Sequence, residues 1–149
     1  MIIYFFIFAF SLIVDQLTKF LVQTNMYNEE IVIINNTFSF TYVENYGAAW
    51  GILSEYSFLL KILPIVFCVI ILFYLVKYKY TPGKLESISG ILVMSGAMGN
   101  FVDRIRLGYV IDFIDFKIWP VFNFADVWIV LGCFFMIITL IRKDENYGN

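Results

Sequence analysis

Histidine is absent from the 149 residues of this chain. Chemistry that needs an imidazole base is therefore closed to it, Ser/His/Asp and Cys/His arrangements included, and a metal site would lack its commonest nitrogen ligand. Charge is scarce as well, at 15% against about 25% in ordinary soluble domains. Lys and Arg number 10 against 12 Asp and Glu, so the net charge of −2 offers no basic face for nucleic acid, which is not expected as a partner. The two cysteines, Cys68 and Cys133, sit in apolar runs and read as small packing hydrophobes, too few for a disulfide framework. No repeat, low-complexity run or second domain interrupts residues 1–149, which read as a single integral-membrane domain.

What fills the space left by charge is hydrocarbon. Apolar residues make up 61% of the chain and aromatics 20%, where soluble chains run near 45–50% apolar, so the excess must face lipid. A helix needs about 20 apolar residues to cross a hydrocarbon core of roughly 30 Å. Four stretches qualify, at about 2–22, 58–76, 85–102 and 121–141. The first has no basic start and no small-residue cleavage site, and it carries Asp15 and Lys19, so it reads as a retained span and not a signal peptide.

Basic residues near span ends stay on the cytoplasmic side. Lys77, Lys79 and Lys84 lie between spans two and three, Arg142 and Lys143 follow span four, and residues 23–57 hold no Lys or Arg. Both termini are therefore expected in the cytoplasm, with 23–57 and 103–121 outside; Arg104, Arg106 and Lys117 in the second outer segment need local reasons. An outer β segment is expected over about 30–56, where Phe38, Phe40 and Tyr42 alternate with Ser39, Thr41 and Val43. Residues 31–34 supply a partner strand across the turn-prone Asn35-Asn36. Gly108 turns the chain out of span three, residues 109–116 run back along the membrane surface, and Phe113, Phe116 and Trp119 read as interfacial aromatics.

Polar residues inside spans are costly and usually functional. Asp15 lies about 21 Å along its helix, in the outer half of the bilayer, with Lys19 one turn further out and able to pair with it. Span three ends on Asn100, Asp103 and Arg104; span four begins with Asn123 and Asp126; Asn45 and Gly47 belong to the outer segment. Four separate stretches thus deliver polar groups to one level. Taken singly, each could be a helix cap or an interfacial anchor. As a set they fit an organised site, because Asn100-x-x-Asp103 and Asn123-x-x-Asp126 each place a carboxamide and a carboxylate on one helix face.

Asp15 has Lys19, Asp103 adjoins Arg104, and Asp115 is two residues from Lys117, whereas Asp112 and Asp126 have no basic residue within four positions. Two unneutralised carboxylates brought together at the edge of low dielectric share a proton and supply an acid and a base without histidine. For Asp112 the competing reading is a surface charge beside Asp115. A proton-coupled carrier would also use intramembrane Asp, Lys and Arg, but it needs polar groups through to the cytoplasmic side, and residues 65–76 and 130–141 are almost wholly apolar. A purely structural protein leaves the gathered carboxylates unexplained.

These motifs resemble the bacterial lipoprotein signal peptidases, or signal peptidase II. Asp15-Gln16-Leu17-Thr18-Lys19, Asn45-Tyr46-Gly47-Ala48-Ala49-Trp50, Gly99-Asn100-Phe101-Val102-Asp103-Arg104 with Gly108, Val110, Asp112 and Phe113, and Phe122-Asn123-Phe124-Ala125-Asp126 are similar to that family's four motifs, in order. The resemblance implies four transmembrane helices, a small extracytoplasmic β-cradle and an interfacial arm. It implies that Asp112 and Asp126 are catalytic, and that Asp15, Lys19, Asn45, Gly47, Asn100, Asp103, Arg104 and Asn123 shape the site or hold substrate. It further implies a metal-free and cofactor-free aspartic endopeptidase of the bacterial cell membrane, a monomer among phospholipids with its site at the outer face. Its substrate would be a diacylglyceryl-modified prolipoprotein, cut before the lipid-bearing cysteine. Val127 departs from the serine that many members carry there, which implies altered packing or hydrogen bonding and not lost activity.

Overall fold

The computed structural model describes residues 2–27, 29–47, 62, 66, 73 and 82–147. Within these, three long helices, α1 (Ile2–Asn25), α2 (Lys84–Arg106) and α3 (Phe124–Tyr147), meet a three-stranded sheet of β1 (Glu30–Ile34), β2 (Phe38–Asn45) and β3 (Val110–Asp115). All three helices are long and apolar enough to cross a membrane, α3 over Phe124–Arg142. The expected second span falls outside the described residues except for Ile62, Val66 and Phe73, which are helical.

The helices carry their polarity inward. On α1 the buried residues are Ser11, Asp15, Lys19 and Val22, a stripe at helical spacing, while Ile2, Ile3, Phe5, Phe6, Phe10 and Ile13 are exposed. A water-soluble helix does the reverse, and this inversion suits a hydrocarbon solvent. Helix α2 packs parallel to α1, with Gly99 beside Asp15, and antiparallel to α3, where Gly132 meets Ser89 and Val93. A β-carbon at Gly96 would collide with the Ala125 carbonyl oxygen, and one at Gly99 with the Asp15 carboxylate. Gly96 and Gly99 thus allow the close approach that lets polar side chains meet across three helices.

The sheet caps the end where α1 and α2 finish and α3 begins. Its order is β1-β2-β3, antiparallel throughout, with Ile31 opposite Phe40 and Val43 opposite Asp112. The β1–β2 hairpin turns at Asn35-Asn36 as expected, with Asn36 in the left-handed region at φ 57°.

Three expectations need correction. The run of residues 109–116, expected as a segment separate from the outer sheet, is part of it: Val110–Asp115 form β3, buried along almost its whole length between β2 and the helix ends. Phe113 is accordingly 2% exposed, packed with Val22, Met26 and Ile111, and not an interfacial anchor; Phe116 and Trp119 do remain exposed. Cys133 lies exposed on the outside of α3 and packs no core; Cys68 lies outside the described residues.

Candidate active site

Sequence spacing sets the positions of the site, and hydrogen-bond valence sets its orientation. Asn123 precedes α3 as its N-cap: its Oδ1 accepts the Asp126 N–H at 3.0 Å, and Asp126 Oδ2 accepts the Asn123 N–H at 3.2 Å. This reciprocal capping box fixes Asp126 at the helix N-terminus, where the macrodipole favours a negative charge. The other half of the Asn123 amide donates to Asp112 Oδ1 at 2.6 Å and to Asn100 Oδ1 at 3.1 Å. Asn100 Nδ2 in turn donates to Asp126 Oδ1 at 2.8 Å. Asn45 Oδ1 accepts the Gly47 N–H at 2.9 Å, which turns its Nδ2 onto Asp112 Oδ2 at 2.7 Å.

Each of the four oxygens of Asp112 and Asp126 therefore receives one N–H. The two carboxyls are joined through the carboxamides of Asn123 and Asn100, and both line one cleft of about 620 Å³. Trp119, Ile129 and Val130 give this cleft an apolar wall, and Arg104 stands on its polar side. Asp112, only 3% exposed, has its pKa pushed up to about 7, first by burial and then by the charge of Asp126, against the pull of the Asn45 and Asn123 donors.

Beneath this pair lies a buried ionic layer. Lys19, 2% exposed, donates to Asp15 Oδ2 at 3.0 Å, Asp103 Oδ2 at 2.8 Å and Asn100 Oδ1 at 2.9 Å, using all three protons. Asp15 Oδ1 also accepts the Ala125 N–H at 2.8 Å, tying α1 to the first turn of α3. Asp15 and Lys19 thus pair as expected, but Asp103 does not pair with Arg104. Adjacent positions on a helix point apart, so Asp103 faces Lys19 while Arg104 donates to the Gly47 carbonyl at 3.0 Å, within electrostatic reach of Asp126 and Asp112.

Arg104 therefore has a local reason for its place, and so does Lys117, which pairs with Asp115 and Glu30. Arg106 lies exposed in the last turn of α2, where the helix dipole favours a cation. All ten residues singled out from the sequence gather at this end of the bundle.

Sequence reasoning passed over Gln16, whose Nε2 lies 3.0 Å from Asp103 Oδ1 and 3.1 Å from both Asp15 Oδ2 and the Gly99 carbonyl. Its place next to Asp15 was the available signal. Trp128 was also missed; its Nε1 donates to the Ser11 carbonyl at 3.1 Å and holds α3 against α1.

Comparison with known proteins identifies the family. Residues 7–142 match the family described as signal peptidase (SPase) II. The lipoprotein signal peptidase of Halothermothrix orenii is 42% identical over 136 residues, covering 90% of this chain and 92% of that protein. The one from Clostridioides difficile is 42% identical over 148 residues, 97% of this chain and 98% of its own. A bacterial membrane enzyme solved by the in meso method at 2.3 Å superposes with a TM-score of 0.85 at 32% identity, over 96% of this chain and 90% of that one. A second, solved at 1.9 Å, gives 0.79 at 33% identity over 92% and 91%. By motif, sequence and fold the chain belongs to the signal peptidase II family and is a membrane protease of the aspartic class.

Proposed function

We propose that Asp112 and Asp126 are the acid and base of a peptidase that removes signal peptides from diacylglyceryl-modified prolipoproteins, cutting just before the lipid-bearing cysteine. Membership of the family supports prolipoprotein processing. The observation that carries the residue assignment is the shared cleft, in which two carboxyls from different elements face one space and every one of their oxygens is oriented by an N–H.

Asp112, buried and holding its proton up to about pH 7, is the acid. Asp126, at the helix N-terminus and near Arg104, is the carboxylate base. Asp126 takes a proton from water as its oxygen attacks the scissile carbonyl carbon, and Asp112 gives its proton to the carbonyl oxygen. On collapse the C–N bond breaks, the proton on Asp126 passes to the leaving amine, and Asp112 recovers one from the hydroxyl. Neither metal nor covalent intermediate is required.

The cleft suits this substrate because Ile129 and Val130 of α3 give it an apolar wall while Asn45, Asn100 and Arg104 line it with polar groups, as a bond between a hydrophobic helix and a lipid-bearing cysteine demands. Lys84 and Arg142 lie at the end of the bundle away from the sheet, which supports cytoplasmic termini and a site at the extracytoplasmic face of the cell membrane. The parallel packing of α1 and α2 supports the second span expected at about 58–76.

The test is reconstitution in liposomes with a diacylglyceryl-modified prolipoprotein. Release of the signal peptide by the parent, and its loss in both Asp112→Asn and Asp126→Asn, is expected; cleavage by either variant at the parent rate would refute the assignment. Movement of protons or solutes across the bilayer with no cleavage would favour the carrier reading.

A further inference from the structure

We propose that Lys19, one residue removed from the reacting pair, is a positioning residue. Its ammonium holds the Asn100 carboxamide with the N–H toward Asp126, so that the pair is surrounded by donors only. This rests on the dyad reading above and adds to it a cause for the site's polarity.

Donor and acceptor valence fixes this orientation. An asparagine amide has one acceptor end and one donor end, and its orientation follows from what faces each. Asn100 Oδ1 lies 2.9 Å from Lys19 Nζ and 3.1 Å from Asn123 Nδ2, both of which can only donate. Turned over, the Asn100 amide would set its N–H against an ammonium and a second amide N–H, while its oxygen met Asp126 Oδ1. An acceptor there can be satisfied only by a protonated carboxyl. As long as Lys19 is charged, that arrangement is disfavoured, and Asp126 is presented with an N–H that suits a base.

The Asn123 contact alone is the weaker restraint, because the same Nδ2 also serves Asp112 Oδ1 at 2.6 Å. Lys19 itself is fully committed, to Asp15, Asp103 and Asn100, and is buried, so it is neither a surface charge nor a free acid. The charged groups around Asp126 are Asp112 from β3, Arg104 and Asp103 from α2, Lys19 and Asp15 from α1, and Glu44 from β2 at the cleft rim. Of these, Lys19 alone is bonded to the far end of the amide that contacts Asp126.

Two variants test this in the liposome assay, with kcat and KM followed against pH and folding followed by thermal denaturation. Lys19→Met combined with Asp103→Asn removes the ammonium at unchanged net charge. The low-pH side of its kcat profile should move to higher pH by about one unit, kcat at pH 7 should fall on the order of tenfold, and KM should stay within about twofold. Asn100→Asp, with Lys19 retained as counter-ion, also faces Asp126 with acceptors only and should move the profile the same way. A folded Lys19 variant with the parent profile overturns the proposal. If that variant does not fold, Asn100→Asp decides, and an unmoved profile overturns it. Asp126→Asn run alongside separates the two levels: retained cleavage there refutes the dyad itself, whereas an unmoved Lys19 profile refutes only the positioning role.

Discussion

Within α1, the turns before Ser11 bury none of the described residues and expose Ile2, Ile3, Phe5, Phe6 and Phe10, whereas the turns after it bury Asp15 and Lys19 on one face and expose Ile13, Leu17 and Phe20 on the other. The same division runs through α3. Asn123 and Asp126 stand at its start, while Phe134, Ile137, Leu140 and Ile141 are exposed further along. One half of the bundle is organised by its solvent and the other by its own hydrogen bonds. In the lipid half, side chains need only be apolar, and exchange among them changes little. In the polar half Lys19, Asn100, Asn123, Asp112 and Asp126 are held in one hydrogen-bond network, so that one altered atom is felt several residues away.

This contrast can be broken most severely at the proposed catalytic pair. Asp126→Asn or Asp112→Asn should lower kcat by about 10²- to 10⁴-fold, read as signal-peptide release in liposomes. Because the two act as one unit, the double variant should lose little more than either single one. Arg104→Ala comes next. Without its bond to the Gly47 carbonyl, the turn that orients Asn45 is released, and activity should fall by roughly 10- to 100-fold with the thermal midpoint nearly unchanged.

A purely steric break is Gly99→Ala, whose new methyl would meet the Asp15 carboxylate; a loss of about 1–3 kcal/mol of stability is expected in denaturation. Asn45→Ala sharpens the contrast by pH. It removes an N–H that stabilises the charged form of Asp112, so Asp112 should keep its proton to higher pH and the descending, high-pH side of the kcat profile should move upward from about 7. Smallest of all is Cys133→Ser on the lipid face of α3, which should leave stability within about 0.5 kcal/mol and activity intact.

The same division explains what was readable in the sequence. Spans could be read because lipid demands only composition and length, and α1, α2 and α3 fall where the apolar runs do. Asp112 and Asp126 could be picked out because they lack nearby cations in sequence, and Lys19 finds Asp15 because both lie on one helix face. Partners that come from another helix could not be read this way. Asp103 takes Lys19 and not its neighbour Arg104, and Gln16 reaches Asp103 across the α1–α2 contact. Strand β3 escaped because Val110-Ile111-Asp112-Phe113-Ile114 is buried on both faces and shows no alternation; its pairing depends on the free edge of β2.

The proton that Asp112 is proposed to hold near neutral pH can be read directly by infrared difference spectroscopy of the detergent-purified protein. A protonated carboxyl stretch present below about pH 7 should fade as pH rises through that value, persist in Asp126→Asn and vanish in Asp112→Asn. A stretch that survives Asp112→Asn unchanged, with none assignable to Asp112 at pH 6, would contradict the account.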